Sequence, residues 1–433
     1  MPPEQSRRPA VVSGRPVLSA AEVGGSRWSA PWAGVLAAVI DRAHLATGDE
    51  ISEIVDDAVA AVGMTAEVLM VNLAQQSLLS VRPLTTQRID VDGTLAGRSF
   101  QHSESLIGTD PGGHRLLWVP SLDGTERVGV LGLTLHDDVV DDEEFRACCW
   151  SLAGLVGHVV MAKLAYSDRL RRLRCDGDLS TAAEMLWQLV PPRTFATERV
   201  VVTGLLEPWD RVAGDAYDYA IDDHVVDLAV YDGVGHDLSA GLATTLAVTG
   251  VRNARRRAQP ESVDLVELAT RTDDLLAERP GPVRFVTAVL ARLDTRTGML
   301  DYLVAGHPPP LLVRGGHIVK ELDTVIGPPL GILPREGHRR TGLREQLEPG
   351  DRLLFYSDGI VEARDATGSF FGVERLVDFT ERAELSRLSA PETLRRLAAA
   401  VLAHQGDRLQ DDATLLMVDW FADSHERLLP SRI

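Results

Sequence analysis

Cysteine is scarce in this sequence, with three in 433 residues: Cys148, Cys149 and Cys175. None belongs to a CxxC pair or stands beside histidine at metal-ligand spacing. That argues against a disulfide framework and a zinc module, and it fits a reducing compartment. Basic charge is also short: Lys and Arg total 44 against 63 Asp and Glu, a formal net charge of −19. Such a surface repels nucleic acid and anionic membranes, so neither is an expected partner. No apolar run approaches the roughly 20 residues that span a bilayer. The N-terminal stretch "MPPEQSRRPAVVSGRP" has no apolar core of a secretory signal, which points to the cytoplasm. Neither GxSxG nor GxxxxGK[ST] occurs, so a nucleophile elbow and a nucleotide phosphate loop are both missing.

What is present suits ordinary globular domains. Hydrophobic residues make up 45% and charged residues 25%, enough to build two or three cores without covalent staples. Residues 1–30, rich in Pro, Ser, Gly and Arg, read as a tail. Apolar residues then recur at helical spacing in "WAGVLAAVIDRAHLATG" and "DEISEIVDDAVAAVGM", with Asp49 as a helix start and Gly63 as a stop. Strand-like segments follow: "AEVLMVNL", "LLSVRPL", "RLLWVPSL" and "RVGVLGLTL". A long helical pattern, "DDEEFRACCWSLAGLVGHVVMAKLAYSDRLRRL", closes the region with acids first and bases last, as the helix dipole favours. Cys148 and Cys149 read as small buried residues of that helix. The basic clusters at 169–174 and 252–257 read as solvated helix faces.

The order of helices, small sheet and closing helix makes residues 31–165 an α+β module. It resembles a GAF domain, chiefly through "DGTLAGRSF" and "LLWVPSLDGTERVGVLGL". The resemblance implies a sensor module with a helix across a small-ligand pocket. Residues 166–192 form a helical connector. Leu179, Ala182, Ala183, Leu186 and Leu189 make one apolar stripe, and "PPR" stops the helix. That stripe either packs on its own neighbours or joins two copies as a homodimer.

From residue 193 onward, acids recur at the ends of apolar strands. Asp215 and Asp218 lie in "RVAGDAYDYAI", Asp232 in "VVDLAVYDGVGHDLSA", Asp358 in "DRLLFYSDGIVEA", and Asp411 and Asp412 in "LQDDATLLMVDW". Each alone reads as a turn or loop residue, and Asp358-Gly359 as a turn dipeptide. Together they suggest carboxylates gathered at one sheet edge, where they would repel one another without a cation. An all-oxygen donor set selects hard ions, Mg²⁺ or Mn²⁺, and a pair of ions can activate water against a phosphoryl group.

Seven segments in order carry a family resemblance: "VAGDAYDY", "DGVGHDLSAGLA", "FVTAVLARLDTRTGMLDYLVAGHPPPLLV", "GPPLGI", "LEPGDRLLFYSDGIVEA", "FGVERL" and "DDATLLMV". Residues 193–420 are similar to the metal-dependent PPM (type-2C) protein phosphatases of the bacterial SpoIIE/RsbU-like branch. The resemblance implies a β-sandwich of two antiparallel sheets flanked by helices, with a dinuclear metal site at one end. By motif, Asp215, Asp232 and the Gly233 carbonyl are the first ligands, completed by Asp358 and Asp411. These acids carry the catalysis, in which water held between the ions attacks phosphorus without a phosphoenzyme. Asp218 either binds through water or orders its loop, and Asp412 is the lesser of its pair. Asp237 follows His236 where the family has Gly, and reads as a helix N-cap. Val304 replaces an Asn before "AGH", leaving His307 as a turn histidine. Residues 421–433 read as a tail.

The implied function is phosphoserine/phosphothreonine protein phosphatase. The implied substrate is a phosphorylated anti-sigma-factor antagonist in a partner-switching pathway, with the GAF-like module as regulator. The alternative is a catalytically weak sensor or scaffold that docks such partners.

Overall fold

The computed structural model describes residues 29–429, apart from 111, 137, 138, 140, 176–178, 208–213, 236, 260–262, 279–284, 326, 333–339, 407–410, 422 and 423. Nearly all of the expected N-terminal tail and the 430–433 end lie outside the described residues, as does His236.

The N-terminal part begins with helices α1 (Ser29–Ala43) and α2 (Ile51–Ala60). Thr47, not Asp49, starts the second: it caps a 3-10 turn, Gly48–Glu50, with Glu50 reaching back to the Thr47 amide. A sheet follows, made of β1 (Met64–Val71), β2 (Ser77–Ser80), β3 (Arg88–Asp90), β4 (Leu106–Thr109), β5 (Arg115–Asp123) and β6 (Glu126–Leu135). All pairings are antiparallel, in the order β3-β2-β1-β6-β5-β4. The edge strands β3 and β4 carry only short, polar-interrupted runs, which is why the hydrophobic pattern missed them. Strand β1 alternates strictly. Val68 and Met70 face α1, α2 and α4 (Glu143–Leu164), while Leu69 and Val71 face α3 (Leu95–His102). Helix α3 lies hard against the sheet. A Cβ on Gly97 would stand 1.8 Å from the Val91 carbonyl oxygen, and Ala96 and Phe100 fill the space beneath.

The expected long closing helix breaks after Leu164 and resumes as α5 (Asp168–Cys175). Helix α4 is, by length and composition, apolar enough to cross a bilayer, contrary to the reading of the sequence. Its Phe145, Leu152, Val156 and Val160 instead pack in the first core. The arginines of α5 are not a solvated face: Arg169 donates to the Val81 carbonyl and Arg171 to Glu184. Helix α6 (Thr181–Leu189) lays Ala182, Ala183 and Leu186 into the core of the C-terminal part. Of the stripe considered for a homodimer, Ala182, Ala183 and Leu186 are thus buried within the chain, and Leu179 and Leu189 are partly buried against the same core.

The C-terminal part has two stacked antiparallel sheets. Its strands are β7 (Thr194–Ala196), β8 (Val200–Glu207), β9 (Asp215–Asp222), β10 (Val225–Gly233), β11 (Val286–Asp294), β12 (Met299–Ala305), β13 (Leu311–Arg314), β14 (His317–Glu321), β15 (Leu343–Gln346), β16 (Arg352–Tyr356) and β17 (Ala413–Trp420). One sheet runs β15-β12-β11-β10-β9, the other β14-β13-β16-β17-β8-β7. Tyr217, Val230, Val289, Phe355 and Leu416 meet between the sheets. Helices α7 (Leu238–Arg257) and α8 (Leu265–Ala277) cover the first sheet. Helices α9 (Asp358–Val361), α10 (Gly372–Leu385) and α11 (Ala390–His404) lie on the side of the second. The supposed C-terminal tail includes a 3-10 turn, Ser424–Arg427, after which Leu428 is buried in that outer layer.

The two parts meet through buried charge. Arg127 on β6 donates to Glu392 on α11 at 3.4 Å and to Gln75 at 2.9 Å. Arg395 grips Glu392 at 2.9 Å and Asp92 at 2.8 Å.

Candidate metal centre

Strand β9 opens on Asp215 and β10 closes on Asp232-Gly233, and antiparallel register sets Asp215 opposite Asp232. Alternation puts both on the inner face, in phase with Tyr217 and Val230. From the second sheet, Asp412 shares the inner phase of Leu416. Its Oδ2 accepts from the Gly214 amide at 2.6 Å and the Asp215 amide at 3.4 Å. Asp411 is exposed, and its Oδ1 accepts the Asp412 amide at 2.9 Å. Asp358 is half-buried at the start of α9, directly after Ser357. Ser357 is fixed by β17: its amide donates to the Thr414 carbonyl and its Oγ accepts from the Thr414 amide, both at 3.0 Å.

The expected turn at Asp358-Gly359 is the first turn of a short helix. Gly359 is required for proximity and not for chain reversal. A Cβ there would lie 1.9 Å from the Asp412 carbonyl oxygen. Gly214 and Gly233 are equally crowded: a Cβ on Gly233 would meet Thr244 Oγ1 at 2.3 Å, and one on Gly214 would meet the Gly233 carbonyl oxygen at 2.6 Å. Two sheet edges and one helix start are thus brought together backbone to backbone.

The electrostatics follow. Burial, then the charges of Asp232 and Asp412, hold Asp215 well above the usual carboxylate range, while the nearby Ser357 and Thr414 hydroxyls pull it back. Asp232 is pushed up to about 7 by burial, then by Asp358 and Asp411. Burial and Asp411 raise Asp358. These five carboxylates sense one another across the end of the sandwich.

The donor chemistry fits a hard divalent cation. Asp215 Oδ2 is buried without a hydrogen-bond partner, and the donors are oxygen. As they stand, no three His, Cys, Asp or Glu side chains among the described residues converge closely enough to hold an ion. Repulsion between like carboxylates acts in that direction.

Asp218 is separate from this group. It points to the outer face, 2.6 Å from Arg252 and 3.4 Å from Arg255 of α7. Those arginines, read as solvated, are its counter-ions. Asp237 caps α7 as expected, accepting the Ala240 amide at 2.9 Å. His307 is more than a turn residue. Its Nδ1 lies 2.8 Å from Thr287 Oγ1 and its Nε2 lies 3.1 Å from the Tyr356 carbonyl oxygen. Burial lowers it to about 4, so it is neutral, donating from Nε2 and accepting at Nδ1. Thr287 also lies 3.4 Å from Asp232 Oδ2. The Asp232, Thr287, His307 and Tyr356 series joins the first sheet to the strand that leads to Asp358. Thr287, Ser357 and Thr414, marked only by their place at strand ends, and Thr244, inside α7, went unnoticed in the sequence.

Residues 222–421 match the family model described as stage II sporulation protein E (SpoIIE). The chain carries a SpoIIE-family PP2C-type domain. It is 26% identical to Protein IcfG of Synechocystis sp. over 50% of this chain and 37% of that protein. It is 21% identical to the phosphoserine phosphatase RsbU of Bacillus subtilis over 62% of this chain and 78% of RsbU. The chain thus spans well under two thirds of the first relative's length. Among solved structures, the SiaA-PP2C domain of Pseudomonas aeruginosa aligns at 23% identity with a TM-score of 0.44, over 51% of this chain and 85% of that one.

Proposed function

We propose that the chain is a Mn²⁺- or Mg²⁺-dependent phosphoserine/phosphothreonine protein phosphatase. The observation that carries this reading is the Asp215–Asp232 pair at one sheet edge, faced by Asp358 and Asp411 from the other sheet, with Asp215 Oδ2 unpartnered. Asp215, Asp232, the Gly233 carbonyl, Asp358 and Asp411 are the proposed ligands. A pair of ions, when bound, supplies a water acidified toward neutral pH and a clamp on phosphoryl oxygens. The chain's own part is positioning. Asp412 holds the Gly214-Asp215 backbone through two amides. Thr414 fixes Ser357 and so the start of α9. Neutral His307 holds the end of β16 and the Thr287 hydroxyl.

The proposed substrate is a phosphorylated anti-sigma-factor antagonist, and the proposed location is the cytoplasm. In this reading residues 31–165 are the GAF-like regulator, 166–192 the connector and 193–420 the phosphatase. The buried Arg127–Glu392 contact gives the regulator a hold on the catalytic part. The test is hydrolysis of a phosphoserine protein in Mn²⁺ by the wild type and by Asp358→Asn. Activity in the wild type and its loss in the variant are expected. Equal inactivity under every metal and partner condition would sink the reading. The Asp237 and Val304 departures from the family pattern support a second reading, a docking scaffold. Calorimetric titration with millimolar Mn²⁺ separates them, since the scaffold binds no ion pair.

A further inference from the structure

A cavity of about 300 Å³ lies where α4, α5, α6, the 191–193 segment and β9 meet. No residue of α3, across which a GAF-type ligand was expected, lines it, and it belongs to neither part alone. Its wall is apolar, built from Leu73, Met161, Leu164, Leu179 and Pro192. Two polar groups in this lining have no partner: Arg193 Nε and Trp187 Nε1, both buried. Arg193 is only 6% exposed, and its guanidinium sits 5.3 Å from the Trp187 ring centre. Both unpartnered groups are N–H donors, so only an acceptor satisfies them.

The charges in the lining point the same way. Arg171 is engaged with Glu184 at 3.0 Å and with the Leu164 and Ala165 carbonyls. Glu126 serves the Thr194 amide at 2.8 Å and Arg174 at 3.7 Å. Arg193 donates to the Leu73 carbonyl through Nη2. Three guanidinium groups face two carboxylates, which leaves one positive charge in excess. A mainly apolar cavity with a few convergent donors has the usual make-up of a small-molecule site, and its volume is at the small end of that class.

We propose that this cavity binds a small organic acid. Its carboxylate accepts from Arg193 Nε and Trp187 Nε1, and its apolar body lies against the leucine and methionine wall. The Tyr217 side chain completes the lining, and its hydroxyl donates to the Pro191 carbonyl at 3.2 Å. The ligand therefore touches β9 two residues along the strand from Asp215.

Cys175 lines the cavity and Cys148 does not, which supplies a local readout. The full chain is treated with N-ethylmaleimide alone or with phenylpropionate, phenylbutyrate or octanoate, and each acid is compared with its primary amide. Modification of Cys175 and Cys148 is followed by mass spectrometry. At least one acid is expected to slow the reaction at Cys175 and leave Cys148 unchanged. Its amide should need about ten- to hundred-fold more ligand, the ratio expected for loss of a charge-assisted hydrogen bond. Arg193→Gln and Trp187→Phe should each raise the half-protecting concentration about tenfold or more. No protection by any of the acids at about 10 mM, weaker than any working site, overturns the proposal. Equal protection by acid and amide in the wild type also overturns it, whatever the variants do. The assay uses neither metal nor phosphoprotein, so its outcome is independent of the phosphatase reading.

Discussion

Asp412 Oδ2 accepts the Gly214 amide at 2.6 Å, so a carboxylate of one sheet holds the backbone that presents Asp215 from the other. This contact sets the spacing of the two acid-bearing edges. Asp215 and Asp232 are placed by strand register, and Asp411 and Asp358 by what that contact and Gly359 allow. Asp412 is thus a positioning residue whose carboxylate is already occupied.

If these acids hold Mn²⁺, the ion stabilises the fold by mass action, about 2.7 kcal/mol at a hundred times the dissociation constant. Thermal unfolding of the wild type should shift upward with millimolar Mn²⁺. Asp215→Asn should abolish the shift and the hydrolysis together, while the ion-free variant unfolds no earlier than the ion-free wild type. The last expectation follows because the substitution removes one of several mutually repelling buried charges.

Gly359→Ala places a methyl group 1.9 Å from the Asp412 carbonyl oxygen. Something in the backbone must move. A loss of about 1–3 kcal/mol in denaturant unfolding is expected, with a larger proportional loss of hydrolysis because Asp358 and Asp412 separate. Gly368→Ala is a control: its surroundings are open, although its φ of +86° adds local strain.

Asp218→Asn separates structure from chemistry. Its carboxylate is 2% exposed and answers two arginines. Removing one partner of such a cluster costs about 3–5 kcal/mol. Urea unfolding should register that loss, while Mn²⁺ affinity measured by calorimetry stays near the wild-type value. A large fall in Mn²⁺ affinity with little change in stability would return Asp218 to the ligand set.

Glu392 gives the contact between the two parts a pH dependence. Burial presses its pKa up, but Arg395 and Arg127 outweigh that and hold it below the usual glutamate range. A lowered carboxylate stabilises the fold above its unfolded value near 4.5 and loses that contribution as pH falls through the folded value. Glu392→Gln should therefore be less stable than the wild type at neutral pH, by about 3 kcal/mol. The gap should narrow as pH drops below about 4.5. Unfolding midpoints of both proteins across pH 3–7 test this, and a constant gap counts against it.

Much of this molecule was legible as pattern. The strand-like segment of β1, the continuous apolar run of β10 and the capped start of α7 follow from local chemistry, and the structure contains them. The edge strands β3 and β4 were not legible, because a strand paired on one side needs little apolar sequence. The arginines of α5 and α7 were read as solvated because charge in a sequence carries no direction. Only packing aims Arg252 at Asp218 and Arg169 at the Val81 carbonyl.

What the sequence determined by itself was the inventory: acids at strand ends beside small residues, in a family order. It left Asp218, three residues from Asp215, between a water-bridged ligand and a loop-ordering residue, because strand phase sends the two to opposite faces and only the second sheet makes one face an interior. Nor could it reveal Arg193 and Trp187 beside one cavity, since that enclosure exists only where the two parts and the connector close on each other. The reason is physical. Local propensity acts over a few residues, whereas a carboxylate or a guanidinium acquires its role from what burial leaves within a few ångströms of it.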